Sequence, residues 1–328
     1  MPSAPEPAAP AAAPDAAELT VIVVSYNTRA LTLKCLETLY AATHEARFRC
    51  VVFDNASSDG SADAVAEAFP RVELIRSSDN LGFARANNVV AAGAQTEWLL
   101  LLNPDTEVYD GAVDRLLAFA RRHPRAGITG GRTVFPDGSL NIASCWNRIT
   151  PWSAFCQAVG LSTLLKGSAL FNPEAFGNWQ RDSVRRVDIV VGCFLMIRRA
   201  LWEDLGGFDL KYFMYGEEAD LCLRAARMGY EPMITPEAEI MHLVGASYGN
   251  RAEKTVKVAK ARSTLIRDHW PSWQEPLGLG LMWVWAAGRR GLTGALDALP
   301  GGRFGGAAAK WRHVWQQRGD WLEGYGDA

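Results

Sequence analysis

The stretch Leu19-Thr-Val-Ile-Val-Val-Ser25 decides the fold of this chain. It is a continuous run of apolar and β-branched residues that ends in a polar one. Such a run is typical of a strand in a parallel sheet, because helices cover both faces of that kind of sheet. Residues 30–42 follow with a helical pattern that places Leu33, Leu36 and Leu39 on one side. The ordered part of the chain therefore begins with a strand and a crossover helix.

The same alternation of strand and helix continues along the sequence. Strands are predicted at 48–54, 72–76 and 98–103, and helices at 61–69 and 83–94 separate them. This order predicts an α/β fold with a doubly wound, mostly parallel sheet, whose right-handed crossovers place helices on both faces. Later predicted elements are a helix at 111–123, strands at 126–135 and 188–198, a helix at 216–228, short strands at 231–235 and 240–242, and a basic amphipathic helix at 253–267.

The length and composition divide the chain into three regions. Its 328 residues allow one large domain or two small ones. We expect a disordered Ala/Pro-rich tail at 1–17, a single α/β domain at 18–250, and a basic, Trp-rich helical appendage at 251–328. Within the domain, residues 136–186 have no clear periodicity and are predicted to be irregular, and a loop region of that length is usually functional.

The charge is unevenly distributed between these regions. Residues 1–250 carry 22 basic and 29 acidic side chains, whereas residues 251–290 carry 8 and 3. An acidic body of this kind argues against a nucleic-acid-binding protein, which usually has a broad positive face. The basic stretch is better suited to a surface helix or to an anionic membrane.

The cysteines and the first residues indicate a cytoplasmic protein. None of the six cysteines has C-x-x-C spacing, which disfavours zinc ribbons and thioredoxin-like redox motifs. Several of them lie in apolar runs, where a free cysteine behaves as a small hydrophobe. The first 17 residues have neither the basic nor the apolar region of a signal peptide.

Polar residues follow four of the predicted strands, at the point where each strand ends. Ligands of open α/β sheets bind at this carboxyl edge. Asn, Asp, Gly and Ser also make ordinary turns, so any one of these loops alone is weak evidence. The four loops together predict a binding edge formed by Ser25, Tyr26, Asn27, Asp54, Asn80, Gly82, Arg85, Asn87, Asn103 and Asp105.

The residue types at this edge favour a nucleotide diphosphate held with a divalent metal. Both standard glycine-rich phosphate loops are absent from the sequence. Asp54 can accept a hydrogen bond from a base imide or from ribose, and Tyr26 can stack on a base. Asp105 offers hard oxygen ligands, which Mg²⁺ and Mn²⁺ prefer.

Six motifs in this order resemble those of the family 2 glycosyltransferases. They cover about residues 19–250, and each is weak alone whereas the ordered set is specific. The branch that the chain resembles most is that of bacterial rhamnosyltransferases and related enzymes of cell-surface glycan synthesis. The motifs are Val-Ile-Val-Val-Ser-Tyr-Asn27, Asp54-Asn-Ala-Ser-Ser-Asp-Gly60, Asn80-Leu-Gly-Phe-Ala-Arg-Ala-Asn87, Leu-Leu-Asn-Pro-Asp105, the segment from Gly206 to Arg224, and His242-Leu-Val-Gly-Ala-Ser247.

The resemblance implies a GT-A fold, a nucleotide-sugar donor, Mg²⁺ or Mn²⁺, and inversion at the anomeric carbon. By position, it implies that Ser25, Asn27 and Asp54 bind the nucleoside and that Asn80, Arg85 and Asn87 line the nucleotide and diphosphate site. Asn103-Pro-Asp105 occupies the place of the D-x-D motif, with Asn where many members have the first Asp. The resemblance therefore makes Asp105 the main metal ligand, and His242 matches a histidine that often completes the metal site.

The candidate catalytic base lies in the cluster Glu217-Glu218-Ala-Asp220, at the start of a predicted helix. A helix N-terminus favours carboxylates, so from chemistry alone simple capping is the better explanation of the cluster. The resemblance implies that the second position, Glu218, is the base, although most relatives have Asp there; Glu217 and Asp220 stay open as alternatives. By the same resemblance, Gly192 and Cys193 pass beside the donor sugar, and Asp209 contacts the acceptor or caps a turn.

The apolar stretch 277–287 is too short to span a bilayer, which needs about 20 apolar residues. Its tryptophans and the following Arg289-Arg290 are typical of an interfacial helix. A helix packed on the body and a dimer contact are the alternatives. The interfacial hypothesis places the protein at the cytoplasmic face of the membrane, beside a lipid-linked glycan acceptor.

The sequence thus predicts an inverting glycosyltransferase of cell-surface polysaccharide synthesis. The preferred donor is dTDP-rhamnose, and the acceptor is a saccharide or lipid-linked glycan. The alternatives are a transferase that uses a UDP-sugar (galactose, galactofuranose or N-acetylhexosamine) and a non-catalytic module that binds glycans or nucleotides on the same fold. Such a module would lack the metal-binding and base carboxylates.

Overall fold

The computed structural model describes residues 17–243, 250–299 and 303–326. A ten-stranded mixed sheet with helices on both faces forms the body. The main path of the sheet has the order β3-β2-β1-β4-β11-β6-β12-β5. In chain order, the strands of the described residues, inside and outside this sheet, are β1 (Leu19–Ser25), β2 (Phe48–Asp54), β3 (Glu73–Arg76), β4 (Trp98–Leu102), β5 (Thr106–Val108), β6 (Ile128–Val134), β7 (Leu140–Asn141), β8 (Cys145–Trp146), β9 (Arg185–Arg186), β10 (Ile189–Val190), β11 (Phe194–Arg198) and β12 (Met233–His242). The short strands β8 and β10 pair separately.

The helices cover the sheet and continue into the C-terminal region. One helix follows each of the first three strands, as the alternation in the sequence predicts. Another set lies after residue 250. In chain order they are α1 (Arg29–Ala42), α2 (Ser61–Ala68), α3 (Gly82–Ala92), α4 (Ala112–Arg122), α5 (Pro151–Ala158), α6 (Leu161–Leu164), α7 (Arg199–Asp204), α8 (Glu217–Arg227), α9 (Arg251–His269), α10 (Glu275–Asp297), α11 (Gly305–Gln316) and α12 (Arg318–Glu323).

The first four predicted strands are confirmed, and they pair in parallel. All seven residues of β1 are buried, between β2 on one side and β4 on the other. The strand β11 then enters beside β4 in the antiparallel direction. Two apolar clusters cover the two faces of the sheet, one centred on Ile22 and Leu101 and the other on Val21 and Leu100. The carboxyl ends of β1, β2 and β4 therefore share one edge of the sheet.

Three predictions about local structure are wrong in part. The segment 136–186 contains α5, which begins with a capping box in which Thr150 and Ser153 satisfy each other's backbone N–H groups. The predicted strand 188–198 is divided into β10 and β11 by a bend at 191–193. The two predicted strands near 231–242 form one strand, β12, with an irregularity between Thr235 and Glu239.

The C-terminal helices form a small core of their own and also contact the body. Val256, Ile266 and Met282 are among its buried residues. An ion pair between Arg262 of α9 and Glu174, with contacts of 2.6 and 3.0 Å, joins these helices to the 136–186 segment. The expected tail at 1–17 lies outside the described residues, apart from its last residue.

Candidate active site

The loops after β1 and β2 are bonded to each other. Asn27, at a left-handed φ of 51°, accepts the Ser58 N–H through its side-chain oxygen at 2.8 Å. Its own backbone N–H donates to the Ser57 hydroxyl at 3.0 Å. These bonds hold the ends of two neighbouring strands in one fixed arrangement.

Asp54 presents an unused acceptor at this edge. The residue is 4% exposed, and its Oδ2 accepts the Ser57 N–H at 3.1 Å. Its Oδ1 is buried without a partner among the described residues. A buried acceptor that lacks a hydrogen bond is costly, so this oxygen is available to a donor from a bound molecule or from water.

Ser25 and Tyr26 differ in their exposure. The Ser25 hydroxyl is buried and lies 3.1 Å from the Thr28 hydroxyl and 2.9 Å from that of Thr32. Its side chain therefore supports the turn into α1 from below. Tyr26 is 46% exposed, which leaves its ring accessible for stacking.

The loop before α3 is organised by two asparagines. Asn80 accepts the Gly82 N–H at 3.0 Å and the Asn55 side-chain N–H at 2.9 Å. Asn55 in turn accepts the Leu81 N–H at 2.7 Å. Our sequence analysis missed Asn55, although its position directly after Asp54 was a usable signal. Gly82 has a φ of 78°, and a Cβ there would lie only 3.0 Å from the Phe213 carbonyl oxygen, so glycine is required at this close approach.

Two side chains of α3 have contrasting surroundings. Arg85 is exposed beside this loop. Asn87 is buried, its side-chain N–H donates to the Phe83 carbonyl at 2.9 Å, and its Oδ1 has no partner among the described residues. The same helix thus carries Arg85 at the surface and, in the interior, the unpaired side-chain oxygen of Asn87.

The structure brings Asp105 and His242 together at the same edge. The Asp105 Oδ1 lies 3.3 Å from the His242 Nε2, and both side chains are at least nine-tenths buried. Residue 105 follows β4, and His242 ends β12, so the pairing of β12 with β5 sets their spacing. Burial acts to lower the pKa of His242, but Cys193 and the Asp105 carboxylate outweigh it and raise that pKa to about 10.

This pair fits a divalent metal. Neighbouring ligands of an octahedral ion with bond lengths near 2.1 Å lie about 3 Å apart, close to the separation of the two side-chain atoms. The pair would leave the other coordination positions to water and phosphate oxygens. A carboxylate with water and phosphate is the usual pattern for Mg²⁺ at a nucleotide, and the imidazole can bind Mn²⁺.

The bend at 191–193 connects the metal pair to the acidic helix α8. The Cys193 carbonyl accepts the Asn103 N–H at 3.1 Å, which anchors the bend to the loop that carries Asp105. A Cβ placed on Gly192 would lie 3.3 Å from the Phe83 ring and 4.0 Å from the Cβ of Glu218. Glu218 and the Asn103–Asp105 loop therefore both border the 191–193 bend.

The first turn of α8 holds two buried carboxyl groups with unsatisfied oxygens. The Oε2 atoms of Glu217 and Glu218 are both buried, and neither has a partner among the described residues. Burial, reinforced by the charge of Glu218, raises the pKa of Glu217 well above its ordinary value. Burial also raises the pKa of Glu218. Glu218 is the more accessible of the two residues, since Glu217 is only 5% exposed.

Asp220 has a different environment from the two glutamates. Its Oδ2 accepts the Arg224 Nε–H at 2.7 Å, and its Oδ1 lies 3.0 Å from the His269 Nε2. Burial acts to raise the pKa of Asp220, but His269 and Arg224 outweigh it and lower that pKa. Arg224 also donates to the Leu205 and Gly207 carbonyls. Asp220 therefore ties α8 to its neighbours, and each of its carboxylate oxygens already has a hydrogen-bond partner.

A second group of possible metal ligands lies on this side of α8. Side-chain atoms of Asp220, Asp268 and His269 all lie within 4.8 Å of one another. Asp268 already pairs with the Lys211 ammonium at 2.9 Å and accepts the Tyr212 hydroxyl at 2.7 Å. Both carboxylates have cationic partners within the protein, Arg224 for Asp220 and Lys211 for Asp268, so a metal bound here would have to displace those ion pairs.

Asp209 closes the turn before α8. One carboxylate oxygen accepts the Lys211 N–H at 3.0 Å, and the other lies 3.3 Å from the Lys211 Nζ. The side chain is 40% exposed. The turn explains most of its contacts, and a ligand could still reach it from solvent.

A family model described as "Glycosyl transferase family 2" matches residues 20–205, which is more than half of the chain. The chain belongs to glycosyltransferase family 2. The matched residues include the polar edge, the Asn103–Asp105 loop and the bend at 191–193. They end before α8, so the proposed base lies outside them.

Two curated relatives of this glycosyltransferase are rhamnosyltransferases. The N-acetylglucosaminyl-diphospho-decaprenol L-rhamnosyltransferase of Mycobacterium tuberculosis is 31% identical over 288 residues, covering 79% of this chain and 87% of the relative. The rhamnosyltransferase WbbL of Escherichia coli K12 is 25% identical over 243 residues, which cover 71% and 85% of the two chains.

A solved structure confirms the predicted GT-A fold. The mannosyltransferase PcManGT from Pyrobaculum calidifontis, in complex with GDP-Man and Mn²⁺, matches with a TM-score of 0.56 and 18% identity. The match covers 93% of this chain and 85% of that chain. At this identity the likeness concerns the fold alone, and the α/β sheet with its C-terminal helices is the shared feature.

The buried Glu217 of this glycosyltransferase predicts a pH-dependent change in stability. A carboxyl group whose pKa is raised on folding stabilises the protein below its unfolded pKa, and that contribution is lost as the pH rises through the folded pKa. Glu217→Gln cannot ionise, so we expect it to raise the thermal midpoint more at about pH 8 than at about pH 5.

Thermal unfolding of the parent chain and of Glu217→Gln at both pH values measures this difference. Glu67→Gln, at an exposed position on α2, is the control and should shift the midpoint equally at both pH values. An equal shift for Glu217→Gln would contradict the burial of an ionising Glu217.

Proposed function

We propose that this glycosyltransferase moves a sugar from a nucleotide-diphospho donor to a saccharide acceptor, with inversion at the anomeric carbon. The observation that carries the proposal is that Glu218 and the Asn103–Asp105 loop both border the Gly192–Cys193 bend. Inverting transfer needs one base for the acceptor hydroxyl and one electrophile at the leaving diphosphate. The bend is where these two requirements can be met side by side.

The polar edge is the proposed nucleotide site. The unpaired Oδ1 of Asp54 would accept a donor from the base or ribose, and the exposed ring of Tyr26 would stack on the base. Exposed Arg85 would approach the diphosphate. The other proposed members line or shape the same site and are Ser25, Asn27, Asn80, Gly82, Asn87 and Asn103.

Asp105 and His242 would hold Mg²⁺ or Mn²⁺ at this edge. The bound ion would neutralise negative charge on the leaving diphosphate. Cys193 touches the pair from the bend. Gly192, whose lack of a side chain lets Phe83 and Glu218 pack close to the bend, is the proposed backbone neighbour of the donor sugar. The protein's own contribution is to fix the carboxylate and the imidazole at one spacing through the β12–β5 pairing.

Glu218 is the proposed base, and the raised pKa of its carboxyl suits that task. A base works best when its pKa lies near the working pH, because it then both ionises and accepts a proton readily. In its ionised form Glu218 would take the proton of the acceptor hydroxyl, whose oxygen attacks the anomeric carbon in line with the departing diphosphate. Asp209, which is accessible before α8, is the proposed contact to the acceptor.

We further propose that the donor is dTDP-rhamnose and that the acceptor is a lipid-linked saccharide. The names of the two rhamnosyltransferase relatives support the sugar, and the diphospho-decaprenol in one of them supports the lipid-linked acceptor. A UDP-sugar is the alternative donor, since the distinction between thymine and uracil depends on a single methyl group.

A screen of donor hydrolysis and transfer tests this function. The full chain is incubated with dTDP-rhamnose, UDP-galactose, UDP-N-acetylglucosamine and GDP-mannose, with Mg²⁺ or Mn²⁺ and a synthetic saccharide-diphospho-lipid. We expect metal-dependent transfer from dTDP-rhamnose. Preferred use of a UDP-sugar would favour the alternative donor, and a lack of turnover and binding with all four donors would overturn the proposal.

We also propose that α10 contacts the membrane surface at the cytoplasmic face. No helix of the described ranges is long and apolar enough to cross a bilayer. Leu277, Trp283, Val284 and Leu292 of α10 are exposed, whereas Gly278, Met282 and Ala286 pack inward. An exposed apolar face beside arginines is typical of an interfacial helix.

Vesicle flotation measures this contact. The double variant Trp283→Ala/Leu292→Ser should bind vesicles of anionic phospholipid several-fold more weakly than the parent chain, since about 25 cal/mol is lost for each Å² of apolar area that no longer inserts. Val89→Ser, which replaces an exposed apolar residue on α3, should leave flotation unchanged. Equal flotation of the double variant would contradict the membrane role of α10.

A further inference from the structure

A separate cavity lies on the other side of α8 from the proposed donor site. Its volume is about 370 Å³, within the range of small-molecule sites. It is enclosed by the later turns of α8, the C-terminal end of α9 and the start of α5. Leu223 and Leu265 contribute apolar wall, together with Ile149 and Trp270. The Trp270 indole is fixed there, because its N–H donates to the Ile149 carbonyl at 3.0 Å.

The polar groups of this cavity are suited to an anion. Among the described residues that line it, Arg148, Arg227 and His269 are basic and none is acidic. Both arginines are exposed at the mouth. One Arg227 nitrogen donates to the Asp268 carbonyl, which leaves other N–H groups of the guanidinium for a ligand.

His269 supplies an independent observation that a ligand belongs here. Its side chain is only 7% exposed, and its Nε2 lies 3.0 Å from the Asp220 carboxylate. Its Nδ1 is buried and has no partner among the described residues. Since the Asp220 carboxylate faces Nε2, Nδ1 is the ring nitrogen left to face a ligand in the cavity.

We propose that this cavity binds a phosphate or diphosphate group joined to an apolar chain, and that it is the anchoring site of the acceptor lipid. The phosphate lies against Arg148, Arg227 and His269, and the chain lies along Leu223, Leu265 and Trp270. This assignment rests on the proposed transfer to a lipid-linked saccharide. It adds to that function a place where the non-reacting end of the acceptor is held.

The position of the cavity along α8 matches this role. Glu218 lies on the first turn of the helix, and Arg227 is its last residue. At 1.5 Å per residue, the two positions are about 13 Å apart along the axis. Because this interval also spans about two and a half turns, an anchored acceptor would extend around α8 to bring its sugar to the base.

Equilibrium binding of farnesyl diphosphate to the full chain tests the assignment. We expect saturable binding of this probe that dTDP does not displace, and much weaker binding of farnesol and of inorganic diphosphate. Arg227→Gln removes a charged donor, and Ala226→Trp fills the cavity from an exposed wall position. Each should weaken binding at least about tenfold, the loss expected for one charge-assisted hydrogen bond.

The control variants are matched by position on another helix. Arg122→Gln, at the end of α4, and Ala118→Trp, at an exposed position of the same helix, should leave binding unchanged. Displacement by dTDP would place the probe in the donor site and overturn the assignment. Equal binding of farnesol or of inorganic diphosphate alone, or tighter binding of dihexanoyl phosphatidylglycerol, would overturn it as well.

The failure of this assignment and that of the proposed function can be told apart. Donor hydrolysis without an acceptor depends on the donor edge, and Arg227→Gln should leave it intact. Loss of probe binding with intact donor hydrolysis would therefore concern the cavity alone. Intact probe binding with no turnover of any donor would overturn the proposed function and leave the cavity as a lipid-phosphate site.

Discussion

Glu218→Gln should lower the rate of sugar transfer by about 10²–10⁴-fold, the usual contribution of a positioned general base. The amide has nearly the same shape as the carboxyl group, so the first turn of α8 and the bend at Gly192 should keep their arrangement. Nucleotide affinity should stay within about twofold of the parent value, because the donor edge is formed by other residues. Transfer kinetics and dTDP binding by calorimetry measure the two effects separately.

Glu217→Gln is the matched control for this prediction, because it changes a neighbouring buried carboxyl on the same helical turn. Glu217 is less accessible than Glu218, so its amide variant should retain activity within about tenfold of the parent. A large loss of transfer in Glu217→Gln, with near-parental activity in Glu218→Gln, would reassign the base to Glu217. Near-parental activity in both variants would remove the glutamates from the chemistry.

The pH profile supplies a second measure of the same carboxyl. Burial raises the pKa of Glu218 above the ordinary value of 4.5, and the base acts only when it is ionised. The rate of transfer should therefore increase with pH through that raised pKa and level off above it. In Glu218→Gln, the residual rate of transfer should no longer rise with pH in this range. If the same rise remained, it would belong to the titration of another group.

Much of the α/β body could be predicted because its signals are local. Buried parallel strands such as β1 and β4 require continuous apolar runs, and the helices between them require a 3.6-residue period. The bend at 191–193 has no comparable local signal. The apolar run of the strand continues through Val190 to Val191, although Val191 already lies in the bend. Its cause is tertiary: the Cys193 carbonyl bonds to the Asn103 N–H at the end of β4.

The sequence predicted which residues belong to the candidate site better than it predicted which side chains they contact. Asp105 and His242 lie 137 positions apart in the sequence, and only the pairing of β12 with β5 brings them within 3.3 Å. Asp220 looked equivalent to Glu217 and Glu218 in the sequence. The structure distinguishes it, since its carboxylate is bonded to Arg224 and His269. Long-range partners of this kind leave no local pattern.

Asp105→Asn should abolish metal-dependent transfer and weaken Mn²⁺ binding beyond the about 10–100-fold that loss of an outer-sphere partner costs. A neutral amide keeps one oxygen but loses the charge that holds a hard divalent cation. His242→Ala should also weaken transfer and Mn²⁺ binding, but by less than Asp105→Asn, because a water molecule can replace the imidazole in the coordination of Mn²⁺. Electron paramagnetic resonance of Mn²⁺ in the presence of dTDP measures the binding without reliance on turnover.

The control variant and the competing site decide the interpretation of this result. Glu107→Gln changes a carboxyl group two residues away on β5 and should leave Mn²⁺ binding at the parental level. Asp220→Asn tests the group formed with Asp268 and His269, where cationic partners already balance the carboxylates. If Asp220→Asn removes Mn²⁺ and Asp105→Asn does not, the metal belongs behind α8, and the electrophile would then lie away from the Asn103–Asp105 loop. Loss of Mn²⁺ in Asp105→Asn alone would place the metal in the Asn103–Asp105 loop, beside the same 191–193 bend that Glu218 borders, where it could act on the leaving diphosphate while Glu218 acts on the acceptor hydroxyl.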